Sequence, residues 1–175
     1  MERNVRPKII PLVLSIAIVV IDQISKAIIV FAVEPVYRSG HVIPVIGDFL
    51  RIIHARNPGI AFSIGRDLPD PVRTVLFAAI PIVVLILLFV YYWRSDEFSP
   101  AQRWAIAGIL GGGAGNLIDR VFRPEGVVDF IDVRIYGLFG MERWPTFNVA
   151  DASVVVGGIT LVVTLFVMER RRIRE

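Results

Sequence analysis

The groups able to do chemistry in this chain are acids and amides embedded in apolar sequence. They are Asp22 in "DQISK", Asn57 in "RNPG", Asn116, Asp119 and Arg120 in "GGGAGNLIDR", Asp129 in "VVDF", and Asn148 with Asp151 in "FNVADASV". Two carboxylates that share a site do not both ionise, so one is left as a general base for water and the other as a general acid for a carbonyl or leaving amine. Asp129 and Asp151 are the candidates for such a pair. Other nucleophilic routes lack their residues. Cysteine is absent, which removes thiolate nucleophiles, thiolate metal sites and disulfides. His41 and His54 have no HExxH spacing, no serine sits in a Gly-x-Ser-x-Gly elbow, and the glycine run lacks the lysine and hydroxyl of a phosphate loop.

The elements that must position these groups are transmembrane. Hydrophobic residues make up 55% of the 175-residue chain and mean hydropathy is +0.66, far above a soluble domain. Four stretches, residues 9–33, 72–93, 104–122 and 149–168, approach the roughly 20 helical residues needed to cross a bilayer core of about 30 Å. The first is too long for a secretory signal peptide, is interrupted by Asp22 and Lys26, and lacks a cleavage site, so a retained anchor helix is expected. No linker or repeat divides the chain, and residues 1–175 are expected to form a single domain. The net charge of +3 does not indicate nucleic acid, because the excess basic residues lie mostly at the chain ends.

Those basic residues set the expected orientation. Arg3, Arg6 and Lys8 precede the first span, Arg94 and Arg103 flank the second loop, and "RRRIRE" closes the chain, which puts both termini in the cytoplasm. Arg38, Arg51, Arg56 and Arg66 in one opposite loop and Arg123, Arg134 and Arg143 in the other run against this pattern and require another explanation. The first of these loops carries "FLRIIHARNPGIAFSIG" and the second "GVVDFIDVRIYG", both extended in character, with a turn expected at Asn-Pro-Gly. Together they are expected to form a small sheet on the extracytoplasmic side. The fold class is therefore all-α, a four-transmembrane-helix bundle with a small β-element built from the outer loops.

Taken singly, each polar residue has a structural explanation. Asp22 and Lys26 are four apart, acid first, the favourable order for an internal ion pair. Asn148 can cap the fourth span, with Asp151 in its first turn where the helix dipole favours negative charge. Asp129 alone is an acid in an extended loop. Asn116 and Arg120 share one helical face while Asp119 lies off it, to orient a neighbour or face the interface. Gly108 with Gly112 and Gly111 with Gly115 are small-xxx-small pairs that admit another helix backbone. Topology alters the weighing, because the third span exits and the fourth enters on the same side, so Asp129 and Asp151 meet at one mouth. Carboxylate pairs also occur in proton-coupled transporters, and the dyad alone does not decide between the two.

Five ordered motifs decide it. "DQISK", "NPGIAFS", "GGAGNLIDR", "VVDFIDV" and "FNVADASV" occur at matching topological positions along nearly the whole chain, which resembles the bacterial lipoprotein signal peptidases (signal peptidase II), four-helix intramembrane aspartyl peptidases. The resemblance implies that Asp129 and Asp151 are the catalytic pair. It also implies that Asn116, Arg120 and Asn148 line the site, that Asn57 reaches the substrate region, and that Asp22 gives support rather than chemistry. The implied substrate is a prolipoprotein carrying a diacylglyceryl group on the cysteine before which it is cut. Phe49, Ile52 and Phe62 would help cover that peptide. No metal or cofactor is expected, since the dyad supplies both acid and base. The expected setting is the bacterial cytoplasmic (inner) membrane, as a multi-pass monomer in contact with lipid, its active site toward the extracytoplasmic side. The competing readings are a small proton-coupled transporter or channel subunit using Asp22, Asp119 and Arg120, and a non-catalytic assembly factor.

Overall fold

The structure, a computed structural model, describes residues 6–58, 69, 72 and 75–174. Phe62, Arg66 and the "NPGIAFS" motif beyond Pro58 lie outside the described residues, as does Arg3. Helix α1 runs Arg6–Ala32 and the short α2 Val36–Ser39, closed by Gly40 in the left-handed conformation. Strands β1, Ile43–Ile46, and β2, Leu50–Asn57, follow. A π-helical turn at Val75–Ala79 leads into α3, Ile80–Arg94. Pro81, with no amide hydrogen to give to an i−4 carbonyl, accounts for the irregular turn before it. Helix α4 is Pro100–Phe122, started by a capping box between Ser99 and Gln102 and by Pro100 in the first turn. Strand β3, Val127–Val133, precedes the last helix, α5, Val149–Arg174.

Among the described residues, three helical segments are long and apolar enough to cross a membrane: Lys8–Ser39, Val75–Arg94 and Val149–Arg170. Their outward side chains, Phe31, Leu87 and Val162 among them, are more than half exposed, as lipid-facing residues are. Helix α4, 23 residues long, is not among the three. Its glycines and its polar run Asn116, Asp119, Arg120 lower its hydropathy, and much of it is buried between α1 and α5. The glycines make that burial possible. A Cβ on Gly112 would stand 2.3 Å from Ala150 O, and one on Gly111 would stand 2.8 Å from Ser15 Cα. Substitution at either would force the helices apart. Ser15 Oγ donates to Ala107 O across the α1–α4 contact.

The strands form one antiparallel sheet in the order β1-β2-β3. The turn of its first hairpin falls at Gly47 to Phe49, with Gly47 at φ 49°; Asn57 ends β2, and the rest of the turn expected at Asn-Pro-Gly lies beyond Pro58, outside the described residues. Glycine tolerates that left-handed φ without the Cβ penalty. Pairing of β2 with β3 sets Ala55 opposite Asp129 and Asn57 opposite Val127. Asn57 and Asp129 therefore share a face. Four of the loop arginines that ran against the charge pattern are held in ion pairs at the sheet, and Arg123 pairs with Asp119 instead. Arg51 and Arg143 both reach Asp132 at 2.7 Å, Arg134 pairs with Asp48, and Arg56 lies 3.4 Å from Glu125. Phe130 N and Ile131 N both donate to Phe147 O, tying the approach to α5 against β3. Ile29, Val33, Val128 and Phe130 form the apolar cluster that fastens the sheet to α1.

Candidate active site

Asp129, in the middle of β3, and Asp151, in the first turn of α5, are linked through one amide. Asn148 Nδ2 donates to Asp129 Oδ1 at 2.7 Å. The Asn148 backbone N–H donates to Asp151 Oδ2 at 3.2 Å, while Asp151 N returns a bond to Asn148 Oδ1 at 2.9 Å. That reciprocal pair is a helix-capping arrangement. The structural explanation of Asn148 and the functional one thus coincide. Asn57 Nδ2 donates to Asp129 Oδ2 at 3.1 Å from the adjacent strand, and Asn116 Nδ2 donates to Asp151 Oδ1 at 2.6 Å from α4. Asp129 is almost wholly buried, and its carboxyl is pushed up to about 7, first by burial and next by the charge of Asp151. Burial and that charge favour the protonated form of Asp129 over a pH range where a free carboxyl is ionised.

Below the pair lies a buried ionic cluster centred on Lys26. Its ammonium reaches Asp22 Oδ2 at 2.8 Å, Asp119 Oδ2 at 3.1 Å and Asn116 Oδ1 at 2.9 Å, and Lys26, Asp22 and Asp119 have no exposed side-chain surface. Each acid also accepts a backbone amide beside one member of the pair. Asp22 takes Ala150 N at 3.0 Å, and Asp119 takes Val128 N at 3.1 Å. Gln23 Nε2 donates to both acids. The ion pair expected between Asp22 and Lys26 is present, and it belongs to a larger unit that fixes β3 and α5 together. Asp119 orients its neighbours and does not face the interface.

The pair opens onto a cleft of about 930 Å³ between α3, α4, α5 and the sheet. Asn57, Asn116 and Arg120 line its polar end with the two acids, and Pro81, Leu85, Ile109 and Val155 line its apolar walls. Arg120 Nε is buried with no hydrogen-bond partner among the described residues. Two residues expected to cover a peptide lie elsewhere. Ile52 packs into the cluster that joins the sheet to α1, and Phe49 sits in the hairpin turn, its carbonyl accepting Arg134 N. Trp144 to Phe147, just ahead of α5, line the cleft instead; their signal was the "WPTF" run abutting the Asn148 cap. Among the described residues no three His, Asp or Glu side chains are grouped to hold a metal ion.

Apolar helices around two carboxylates that are linked through Asn148 and open onto a cleft define an integral membrane protein. Its fold matches two solved structures described as bacterial membrane enzymes obtained by the in meso method. One gives a TM-score of 0.75 at 33% identity, covering 89% of this chain and 87% of the other; the second gives 0.73 at 32% identity, covering 89% and 91%. The family model for signal peptidase (SPase) II matches residues 14–167. Lipoprotein signal peptidase of Treponema pallidum (strain Nichols) is 46% identical over 170 residues, covering 97% of this chain and 90% of that protein. The Treponema denticola protein of the same name is 48% identical over 163 residues, covering 93% and 91%. Lipoprotein signal peptidase of Borrelia hermsii is 44% identical over 151 residues, covering 86% and 83%. The chain belongs to the signal peptidase II family, a family of membrane-embedded peptidases.

Proposed function

We propose that the chain is an intramembrane aspartyl endopeptidase that removes the signal peptide from diacylglyceryl-modified prolipoproteins, cutting immediately before the lipidated cysteine. The observation that carries this reading is the bridge from Asn148 to both Asp129 and Asp151 at the polar end of an otherwise apolar cleft. A peptide tethered to the bilayer by its diacylglyceryl group enters such a cleft sideways, its acyl chains against Leu85, Ile109 and Val155 and its scissile bond near the acids.

The chemistry follows from one shared proton. The ionised carboxylate removes a proton from water as its oxygen attacks the scissile carbonyl carbon, and the protonated partner gives its proton to the carbonyl oxygen. Collapse of the resulting tetrahedral diol breaks the C–N bond, a proton passes to the departing cysteine nitrogen, and the pair regains its single proton. Asn57, Asn116 and Asn148 hold the acids in register, and the Arg120 fork binds peptide carbonyls. The dyad needs no metal or cofactor. Asp22 supports the site through Lys26 and Ala150.

In this reading α4 is a fourth span, its polar residues turned inward, and residues 1–175 act as one domain and as a monomer in the cytoplasmic membrane. Both termini are cytoplasmic and the acids open to the extracytoplasmic side, in keeping with the basic chain ends. The test is incubation of the purified protein with a diacylglyceryl-modified prolipoprotein, followed by mass determination of both products. Cleavage N-terminal to the modified cysteine, and none of the unmodified precursor, is expected; cleavage at another bond, or of both precursors alike, would refute it.

A further inference from the structure

Between β3 and α5 the chain turns through "YGLFG", Tyr136 to Gly140. Gly137 and Gly140 take the left-handed region easily, but Tyr136 at φ 52° and Phe139 at φ 56° lie there too, and a bulky side chain at positive φ is uncommon and costly. The strained turn is tied down by its own backbone. Ile135 N and Tyr136 N both donate to Glu142 O, Gly137 N to Met141 O, and Met141 N to Leu138 O. So closed a loop holds its side chains in fixed directions, and those directions are outward: Tyr136 is 66% exposed, Leu138 56% and Phe139 76%. Packing within the chain does not offset the strain.

The neighbours indicate what lies against these side chains. Arg134 N donates to Phe49 O, which sets the Gly47 hairpin beside the loop and adds the exposed Ile46 and Phe49 to its apolar surface. On its other side the Phe139 ring meets Trp144 edge-on, the ring centres 6.5 Å apart. Trp144 lines the cleft, whose wall passes by way of Phe147 to Val155 and Val156 of α5. Those two valines are more than half exposed, on a helix apolar enough to cross a membrane, so they belong to the lipid-facing surface. Through Trp144 that surface is continued to the loop. Tyr136 and Trp144 each join an apolar body to a polar tip, as residues at the headgroup level do. Leu138 and Phe139 have no polar side-chain atom to keep in water.

We propose that the loop at residues 136–140 inserts into the lipid leaflet on the sheet's side of the membrane, with Leu138 and Phe139 among the acyl chains and Tyr136 and Trp144 at the headgroups. The loop then pins the outer end of the sheet, and with it the Trp144 to Phe147 wall of the cleft, at the membrane surface. The proposal is independent of the peptidase reading, since it needs only a membrane-embedded chain.

The chain has no cysteine, so a nitroxide can be attached at one chosen site of the full protein. Phe139→Cys, labelled and reconstituted in vesicles of equimolar phosphatidylethanolamine and phosphatidylglycerol, is read by its collisions with oxygen, which concentrates in lipid, against those with a water-soluble nickel chelate. Val162→Cys on the lipid-facing side of α5 and Glu97→Cys in the exposed turn between α3 and α4 set the two limits. The oxygen-to-nickel ratio at residue 139 should stand several-fold above that at residue 97 and close to that at residue 162. Leu138→Cys, at a backbone outside the left-handed region, decides the matter if the Phe139 variant does not fold. A ratio at residues 138 and 139 equal to that at residue 97 would overturn the proposal. So would dipolar broadening between labels on two chains, which would mean that a second copy and not lipid covers the loop.

Discussion

Lys26 Nζ donates to Asn116 Oδ1 across 2.9 Å, and this contact fixes which way round the Asn116 amide sits. With its oxygen also taken by Asn148 Nδ2 at 3.0 Å, the amide must turn its NH₂ group toward Asp151. Removing the ammonium would also leave Asp22 buried without its ion partner and Asp119 with Arg123 alone, at 3.3 Å. Lys26→Met should therefore destabilise the protein by about 3–5 kcal/mol, the usual effect of breaking a buried ion pair. Thermal melting in detergent checks this; an unchanged melting temperature would mean that the cluster carries no stability.

Asp22 accepts the Ala150 amide and the Lys26 ammonium together. An asparagine there would set an NH₂ group against one of these donors. Asp22→Asn is expected to lower melting temperature and yield far more than the turnover of the molecules that remain folded. Rate per folded molecule, normalised by a size-exclusion profile, separates the two effects, and a well-folded variant lacking only turnover would contradict the supporting role.

Arg120 lines the cleft with a buried Nε that has no hydrogen-bond partner among the described residues. Its planar fork holds peptide carbonyls at fixed geometry, whereas a lysine provides only a point charge. Arg120→Lys should keep the fold and lose most activity, about tenfold or more on the scale of a charge-assisted hydrogen bond. Melting temperature and cleavage rate on one preparation test this together. A fully active lysine variant would reduce Arg120 to an anchor.

Burial and the neighbouring Asp151 charge raise the Asp129 carboxyl from its ordinary 3.8 to about 7. Ionisation is thereby disfavoured in the folded state. An acid of this kind contributes no penalty below its unfolded value, and stability then falls as pH climbs from that value toward the folded one. Asp129→Asn should therefore gain melting temperature relative to wild type between about pH 4 and about pH 7, with no further gain above. Turnover should fall on the alkaline side with a midpoint near 7, as the pair loses its single proton. A rate still rising well above that midpoint would show that the proton is not needed.

Much of this arrangement was legible because lipid leaves few choices. The end of α4 at Phe122 and the start of α5 at Val149 fall where expected, while α1 and α4 begin earlier, at Arg6 and Pro100, and α5 runs on to Arg174; the Asp22–Lys26 pair followed from a four-residue spacing on a membrane-depth helix. What spacing does not encode is which buried groups meet across elements. The reach of Lys26 to Asn116 and Asp119, and of Asp119 to the Val128 amide, depends on how close the α4 glycines let α1 and α5 approach. The signal existed in Asp119, a membrane-depth acid that required a partner. The hairpin at Gly47 carried no signal that was read, whereas the turn expected at Asn-Pro-Gly begins where β2 ends at Asn57 and continues beyond Pro58, outside the described residues.

The shared role of Asp129 and Asp151 is tested most directly by single-turnover cleavage of a diacylglyceryl-modified prolipoprotein by Asp129→Asn and Asp151→Asn, each verified as folded and membrane-inserted. An amide can neither take a proton from water nor pass one to the leaving nitrogen. Each substitution alone should slow cleavage by at least about a hundredfold, and the double variant should be little worse than either, because the two groups act as one unit. Near wild-type turnover in either folded single variant would contradict the dyad.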